Sequence, residues 1–573
     1  MDATGRKRWV EVACDEGAVA RLASTLDLHP LAARVLASRG FVDPAEAERF
    51  LSARLTDLPD PFSMRGMDAA VGRLALALTR GETIALYGDY DVDGVTSTSL
   101  LAHVLRACGA APITYVPHRL VEGYGLNAAA VEKLAARGVN LLVTLDCGIT
   151  SVEEVRVAAA LGLDTIVVDH HTVPVTLPAA TAILNPHQVG CAYPFKHLAA
   201  VGVTFCLAMA LRKRLREAGW FGAERPEPNL KEALDLVALG TVADVVPLVG
   251  ANRVLVRAGL EQLARTRRPG LGALKGVAGV PHGTAITAGQ VGFRLGPRIN
   301  AAGRLDDAGR GVRLLLTADR TEAEQLARAL DDENRARQEI ERRILAEALS
   351  DAAERVKAGA RGLVLSREGW HPGVVGIVAS RVVERFHRPA VLVGVADGVG
   401  KGSGRSIEGF HLYDAIASCS EHVSRFGGHR HAAGVTIDPS AVAPFRAAFE
   451  RYAGERLGEE DLVPRCRIEG RLPGVADAER LATDLERLAP FGAGHAEPVF
   501  AWRGKAARAR TVGGDGAHLK LDLSPGLGAI GFGLGNRAAE CGGEIDAAVS
   551  LGFDDWNGMR RVQLRIRDLR AAE

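Results

Sequence analysis

At 573 residues the chain exceeds one ordinary hydrophobic core, and at roughly 100–200 residues per domain it divides into about three or four. Apolar residues make up 47% and charged residues 24%, which excludes a disordered or fibrous protein. Seventy basic residues against 69 acidic ones leave a formal charge of +1, which excludes a polybasic binder but leaves room for a local basic groove. None of the eight cysteines forms a C-x-x-C pair, so zinc knuckles and redox motifs are not expected and a reducing cytoplasm is. Met1–Val10 lacks the apolar stretch of a signal peptide, and no run of about 18 apolar residues predicts a membrane span.

The stretch to about Gly81 is expected to form short amphipathic helices, with Leu22, Leu26, Leu31 and Leu36 as their apolar positions and Pro44, Pro59 and Pro61 as punctuation. From Glu82 the pattern alternates. Strands are predicted at 83–87, 113–116, 141–145, 165–168 and 182–184, and helices at 96–107, 128–136, 152–160 and 198–214. Continuous apolar strands alternating with helices predict a parallel sheet covered on both faces. Residues 321–358 hold helical spacing without proline or glycine and read as a connecting helix. A second α/β lobe follows, with strands at 362–366, 390–395 and 435–437. Short strands at 465–468, 518–523, 529–532 and 562–566 then predict a small β-barrel.

The first predicted strand runs into Gly88-Asp-Tyr-Asp-Val-Asp-Gly94. Three carboxylates at alternate positions repel one another, so a cation among them is the economical explanation. An EF-hand is excluded by Leu100, which stands where that loop needs a bidentate Glu, and by the strand that precedes the segment. Asp146 ends the strand 141–145, Asp169-His170-His171 end the strand 165–168, and Asp244 ends a helical run. Ligands of open parallel sheets bind outside the carboxyl ends of the strands, so Asp91, Asp93, Asp146, His170 and Asp244 are expected to converge. Singly, each has the plainer explanation of a cap or turn former. Together they form a mixed carboxylate–imidazole set suited to Mn²⁺ or Mg²⁺.

The motifs Tyr87-Gly-Asp-Tyr-Asp-Val-Asp-Gly94, Asp146-Cys-Gly148 and Asp169-His-His171 resemble the DHH phosphoesterase superfamily. Within it they resemble the branch of single-strand-specific 5′→3′ DNA exonucleases. The resemblance extends through Gly292–Arg304, Gly369–Ser380, Gly402–Ser406 and Gly427–Gly434. It implies an N-terminal helical segment (1–80), a parallel-sheet DHH domain (81–320), a connecting helix (321–360), a DHH-associated α/β domain (361–460) and an OB-like β-barrel (461–573). It implies two divalent cations, Mn²⁺ or Mg²⁺. Asp91 and Asp146 hold one, with Asp89; Asp93, Asp146, His170 and Asp244 hold the other, and His171 supports the loop or touches the scissile phosphate. Arg298, Asn300 and Arg304 face the metals, with ion pairing between lobes as the alternative for the arginines. Ser403 and Arg405 bind a 5′-phosphate together with Arg119, and His429 donates to a phosphate.

On the residues alone, Gly400–Arg405 reads as a glycine-rich turn whose free amides suit an anion. Tyr90, Tyr124 and Phe293 are the aromatics available for stacking on a base, and Arg503, Lys505, Arg508, Arg510 and Lys520 the cations available for a basic face on the barrel. Phe491–Pro498 departs from the family pattern, since His495-Ala-Glu-Pro498 replaces an expected Asn-Pro. The resemblance further implies action in repair and recombination, with single-strand-binding protein and a RecQ-type helicase as partners, in the cytoplasm, as a monomer and off the membrane. A phosphodiesterase of short oligonucleotides or cyclic dinucleotides shares the metal motifs but lacks the barrel. A catalytically silent scaffold would have lost ligand residues, and a pyrophosphatase carries His where this chain has Tyr87.

Overall fold

The computed structural model describes residues 7–118, 122–123, 125–305, 308–472, 477–514, 516–524, 527–554 and 560–572. They form two compact units, one of residues 48–334 with 488–497, the other of residues 1–47, 335–487 and 498–573.

Strand β1 (Arg8–Glu11) lies where the sequence predicts only helices. It pairs in parallel with Arg465–Ile468, a partner some 450 residues away that no local pattern announces. The apolar runs of the first unit become β2 (Ile84–Gly88), β3 (Ile113–Tyr115), β4 (Leu141–Leu145), β5 (Asp164–Val168) and β6 (Ala182–Leu184). All pairs are parallel, in the order β3-β2-β4-β5-β6. Every residue of β2 and β4 is buried, because helices cover both faces. Chain order reverses between β2 and β4, which makes their carboxyl ends the switch point where such sheets bind ligands.

The helix Val92–Ala107 is buried along most of its length despite four consecutive hydroxyl residues, Thr96–Ser99. Thr96, Thr98 and Ser99 donate to the carbonyls of Val92, Gly94 and Val95, so these hydroxyls enter the core already satisfied. The helix Arg320–Lys357 spans 38 residues. Ala323, Leu326, Ala327 and Leu330 join the core of the first unit, and Ile344, Ala348 and Ala352 that of the second.

In the second unit, β7 (Leu363–Glu368), β8 (Ala390–Ala396), β9 (Val399–Arg405), β10 (Arg425–Gly428) and β11 (Ala432–Ile437) form a sheet of order β10-β11-β9-β8-β7. Only β7 and β8 are parallel. β12 (Arg465–Ile468), expected as a barrel strand, is the partner of β1 instead. The OB-like domain comprises β13 (Phe500–Lys505), β14 (Arg508–Val512), β15 (His518–Ser524), β16 (Leu527–Gly531), β17 (Glu544–Asp554) and β18 (Arg561–Ala571). Their order is β13-β17-β18-β16-β15-β14, with one parallel pair, β16 and β18. Among the described residues no helix is long and apolar enough to cross a membrane.

Candidate metal centre and phosphate pocket

β2 ends at Gly88, and the chain turns back through Asp89 to enter the next helix at Val92. A β-carbon on Gly94 would stand 2.4 Å from the Asp89 carbonyl oxygen, so only glycine lets the turn close this tightly. Asp91 caps the helix, its Oδ1 accepting from the N–H groups of Asp93 (2.9 Å) and Gly94 (3.1 Å). Asp93 is buried and accepts from the N–H groups of Ala200 (2.6 Å) and Val201 (2.8 Å). It thereby supplies the cap that Ala199, at the start of the helix Ala200–Glu217, has no side chain to provide.

Asp146 follows β4 with φ +65°, a left-handed conformation that Asp tolerates better than most residues. Asp169 follows β5 and accepts from the N–H groups of Ile149, His170 and His171. Its Oδ1 also lies 2.7 Å from His171 Nδ1. Asp244 closes the helix Leu234–Ala243.

These loops bring the acidic set together as three groupings: Asp89, Asp91 and Asp146; Asp93, His170 and Asp244; and Asp146, His170 and His171. Within each, the ligand atoms lie within 4.8 Å of one another. His170 Nε2 is 3.3 Å from Asp146, 3.6 Å from Asp244 and 3.9 Å from Asp93. Asp146 thus belongs to the groupings on both sides.

Burial, then the charge on His171, holds the His170 imidazole down at about 4, so it is neutral and able to ligate. Burial, then the charge on Asp91, pushes Asp93 up to about 7. Burial and the neighbouring carboxylates raise Asp146 and Asp244 well above the carboxylate range. Burial opposes the charged form of His171, but the hydrogen bond and charge of Asp169 outweigh it and raise the imidazole. His170 Nε2 and Asp244 Oδ2 are buried without a hydrogen-bond partner among the described residues. Carboxylates that cannot all ionise, around orphaned ligand atoms, fit hard divalent cations such as Mn²⁺ or Mg²⁺.

Asn300 sits beside this centre, its Oδ1 accepting from Val92 N–H at 3.2 Å. Its helix, Gly296–Leu305, packs so closely that a β-carbon on Gly303 would meet the Tyr90 carbonyl oxygen at 2.5 Å, a constraint the sequence reading missed. Arg298 is turned to Asp331 (2.8 Å) on the helix Arg320–Lys357, an ion pair within the first unit and not the pairing between lobes expected as the alternative. Arg304 is half-buried on the same helix as Asn300. Phe293 is 81% exposed, and glycines on either side of it, Gly292 and Gly296, lie against Val242 and Ala243, next to Asp244. Tyr90 is half-buried. Arg119 and Tyr124 lie outside the described residues.

In the second unit, Gly400–Arg405 is not a turn with free amides. It is β9, hydrogen-bonded to β8 on one side and β11 on the other. Its glycines serve packing, since β-carbons on Gly400, Gly402 and Gly404 would press on Ile437, Val435 and Leu412. Anion capacity here resides in side chains. Arg405 donates to Ser403 Oγ (3.0 Å), and among the described residues no carboxylate pairs with it. Burial alone pushes its guanidinium below the usual arginine range. A β-carbon on Gly376 would stand 2.8 Å from Ser403 Oγ, so the helix Pro372–Phe386 approaches Ser403 and Arg405 through a bare glycine. His429 is exposed in the hairpin between β10 and β11.

On the OB-like sheet, Arg503 is held by Asp546 at 2.7 and 2.8 Å, whereas Lys505, Arg508 and Arg510 are exposed and Lys520 half-buried. His495 is a strut, buried, with Nε2 2.9 Å from the Leu488 carbonyl and its ring stacked on Phe491.

The DHH family N-terminal domain matches residues 83–241, the DHHA1 domain residues 359–455 and the RecJ OB domain residues 469–568. The chain is similar to the single-stranded-DNA-specific exonuclease RecJ of Bacillus subtilis, at 39% identity over 99% of this chain and 71% of that protein. It is similar to RecJ of Escherichia coli K12 at 40% identity, over 95% of this chain and 96% of the other. The crystal structure of Thermus thermophilus RecJ in complex with Mn²⁺ superposes with a TM-score of 0.85 at 33% identity, covering all of this chain and 80% of that one. The Mg²⁺ complex of the same protein gives 0.78 at 31% identity, over 100% of this chain and 79% of that one.

Proposed function

Because the chain belongs to the RecJ family of single-stranded-DNA-specific exonucleases, we propose that it hydrolyses single-stranded DNA from the 5′ end and releases mononucleotides. The observation that carries the reading is the position of Asp146, common to the carboxylate grouping and to one of the two His-containing ones, at the switch point of a parallel sheet. Asp89, Asp91 and Asp146 would hold one divalent cation, and Asp93, Asp146, His170 and Asp244 a second. Such cations neutralise a phosphodiester, lower the pKa of an attacking water and stabilise the leaving oxygen.

The chain's own residues do the rest. Asp93 ties the helix Val92–Ala107 to the start of the helix Ala200–Glu217, which keeps the acidic loop from relaxing under its own repulsion. Asp169 fixes His171 with its proton on Nδ1, leaving Nε2 to accept or relay a proton near the scissile phosphate. Asn300 holds the Asp91–Val92 turn. Arg405, a half-buried cation without a carboxylate partner among the described residues, with Ser403 beside it, suits a terminal phosphate. Arg119 and His429 are further phosphate ligands in this reading. Phe293 offers a stacking face. On the OB-like sheet Arg510 stands directly opposite Lys520, a like-charge pair that an anionic strand would relieve.

By family resemblance the reading extends to repair and recombination, with single-strand-binding protein and a RecQ-type helicase as partners. A pull-down with each purified partner tests this. The activity test is Mn²⁺-dependent digestion of 5′-phosphorylated single-stranded DNA labelled at its 3′ end, beside blunt duplex and a trinucleotide. Mononucleotides from the long strand, with duplex intact, support the proposal. Activity confined to the trinucleotide overturns it in favour of a short-oligonucleotide phosphodiesterase.

A further inference from the structure

Away from the acidic centre, the first unit carries a cleft of about 960 Å³ whose walls are arginine. Arg265, Arg267 and Arg268 come from the turn between two helices, and Arg320 and Arg328 from the first turns of the helix Arg320–Lys357. Glu324 is the single carboxylate in the lining and is engaged by Arg328 at 3.0 Å. Arg268 is anchored by buried Asp235 at 3.2 Å. Arg265, Arg267 and Arg320 are exposed, and none pairs with a carboxylate among the described residues. Five guanidiniums against one carboxylate is a local excess that the +1 total of the chain does not foreshadow.

The floor of the cleft is as informative as its walls. The helix Pro269–Val277 presents Gly272 and Gly276 to it, and a β-carbon at either would meet nothing within 4 Å. A smooth, open floor admits an extended ligand lying flat. The lining holds no Phe, Tyr or Trp, and its one aromatic ring, His282, lies 3.4 Å from the Thr266 carbonyl, so guanidinium is the dominant chemistry of the cleft.

Its position is fixed by a single helix. Asp235, which anchors Arg268, lies in the first turn of the helix that Asp244 closes, and nine residues of helix span about 13 Å. The cleft is therefore a second site, separated from the metal centre by the length of that helix.

We propose that this arginine cleft binds the sugar–phosphate backbone of a nucleic-acid strand at a site distinct from the one where hydrolysis occurs. Its contribution is affinity without sequence preference, carried by Arg265, Arg267 and Arg320, while Arg268 is held as a fixed wall.

The test is the salt dependence of binding, measured by fluorescence anisotropy in EDTA so that no strand is cut. The full-length chain is compared with its Arg265→Ala/Arg267→Ala/Arg320→Ala form on single strands of about six and about thirty nucleotides. For the long strand, the slope of log K against log salt should shrink by about 2, as three lost phosphate contacts require. Binding and Mn²⁺-dependent hydrolysis of the short strand should be unchanged. The triple Arg→Lys form should retain the slope, because ammonium groups still pair with phosphate. An unchanged slope in the alanine form overturns the proposal, as does equal weakening on both strands, which would place these arginines at the hydrolytic site. A third arm titrates inorganic tripolyphosphate. Saturable binding lost in the alanine form, with long-strand binding intact, would assign the cleft to a free polyphosphate and overturn the strand assignment. Failure of the parent to hydrolyse the long strand would sink the exonuclease reading while leaving the slope readable.

Discussion

The Asp169 carboxylate lies 2.7 Å from His171 Nδ1 and accepts three backbone N–H groups as well, so one buried side chain both shapes the loop after β5 and fixes the imidazole beside the acidic centre. His170, one residue earlier, is left neutral, facing three carboxylates. Asp169→Asn keeps the shape but presents an amide N–H₂ where His171 needs an acceptor, or turns its oxygen away from the backbone donors. Supporting partners of this kind typically matter by about 10–100-fold. The variant should lose that much in kcat and in Mn²⁺ affinity, read by titrating activity against Mn²⁺. Its circular-dichroism spectrum should stay that of the parent.

The stability of the metal-free protein should fall as pH rises above about 6.5, the ordinary histidine value. Asp93 carries its proton up to about pH 7 in the folded state but loses it near its ordinary 3.8 once unfolded. Between those values the folded state binds more protons, so each pH step upward removes stability. Asp146, Asp244 and His171 are raised too and act in the same direction. His170 is depressed and opposes them between about 4 and its ordinary 6.5, and burial depresses His29, His103, His187, His371 and His387 as well, so the raised groups act unopposed by these imidazoles only above about 6.5. Thermal unfolding in EDTA should therefore show Tm declining from about pH 6.5 to about pH 8. Added Mn²⁺ should restore more Tm at the higher pH, because ligation needs the ionised carboxylates. A Tm that rises through this window would contradict the arrangement.

Asp146→Asn separates stability from function. The residue sits at φ +65°, which Asn accommodates, and the substitution deletes a buried charge flanked by Asp91, Asp93 and Asp244. Metal-free protein should gain roughly 1–2 kcal/mol, or a few degrees in Tm. Hydrolysis should drop to background, and the Mn²⁺-induced rise in Tm should largely disappear. Differential scanning calorimetry with and without Mn²⁺ checks both parts.

The parallel sheet was legible because its strands are continuous apolar runs, each stopped by a residue with no place in a core. The predicted strands 141–145 and 182–184 coincide with β4 and β6, and Asp146, Asp169 and Asp244 mark their elements' ends. What stayed hidden depended on distant chain. β1 is an Arg-Trp-Val-Glu segment whose partner is β12, and neither pattern contains the other. β9 has three glycines in seven residues, Gly400, Gly402 and Gly404, a composition that reads as turn, whereas the apolar side chains packed against each one, Val391, Val393, Val435 and Ile437 among them, make it a strand position. Arg298 was ambiguous for a related reason, since its partner Asp331 lies on another helix.

The bare approach at Gly376 yields the sharpest test of the phosphate pocket. A β-carbon there would stand 2.8 Å from Ser403 Oγ, 3.3 Å from Ser403 Cβ and 3.4 Å from the nearest Arg405 guanidinium nitrogen. The backbone of the helix Pro372–Phe386 is ordinary at this position, so Gly376→Ala costs little in conformation and acts through contact. Ser403 must rotate or shift, and its hydrogen bond from Arg405, now 3.0 Å, is the first thing lost. If the pair holds a 5′-phosphate, losing one well-placed hydrogen bond of about 1–1.5 kcal/mol raises KM about 5–10-fold on 5′-phosphorylated strands. On strands with a 5′-hydroxyl the same variant should behave like the parent, because there is no terminal phosphate to misplace. Steady-state kinetics on matched pairs of strands separates the two. An equal KM increase on both ends would show that Gly376 serves only the packing of its helix.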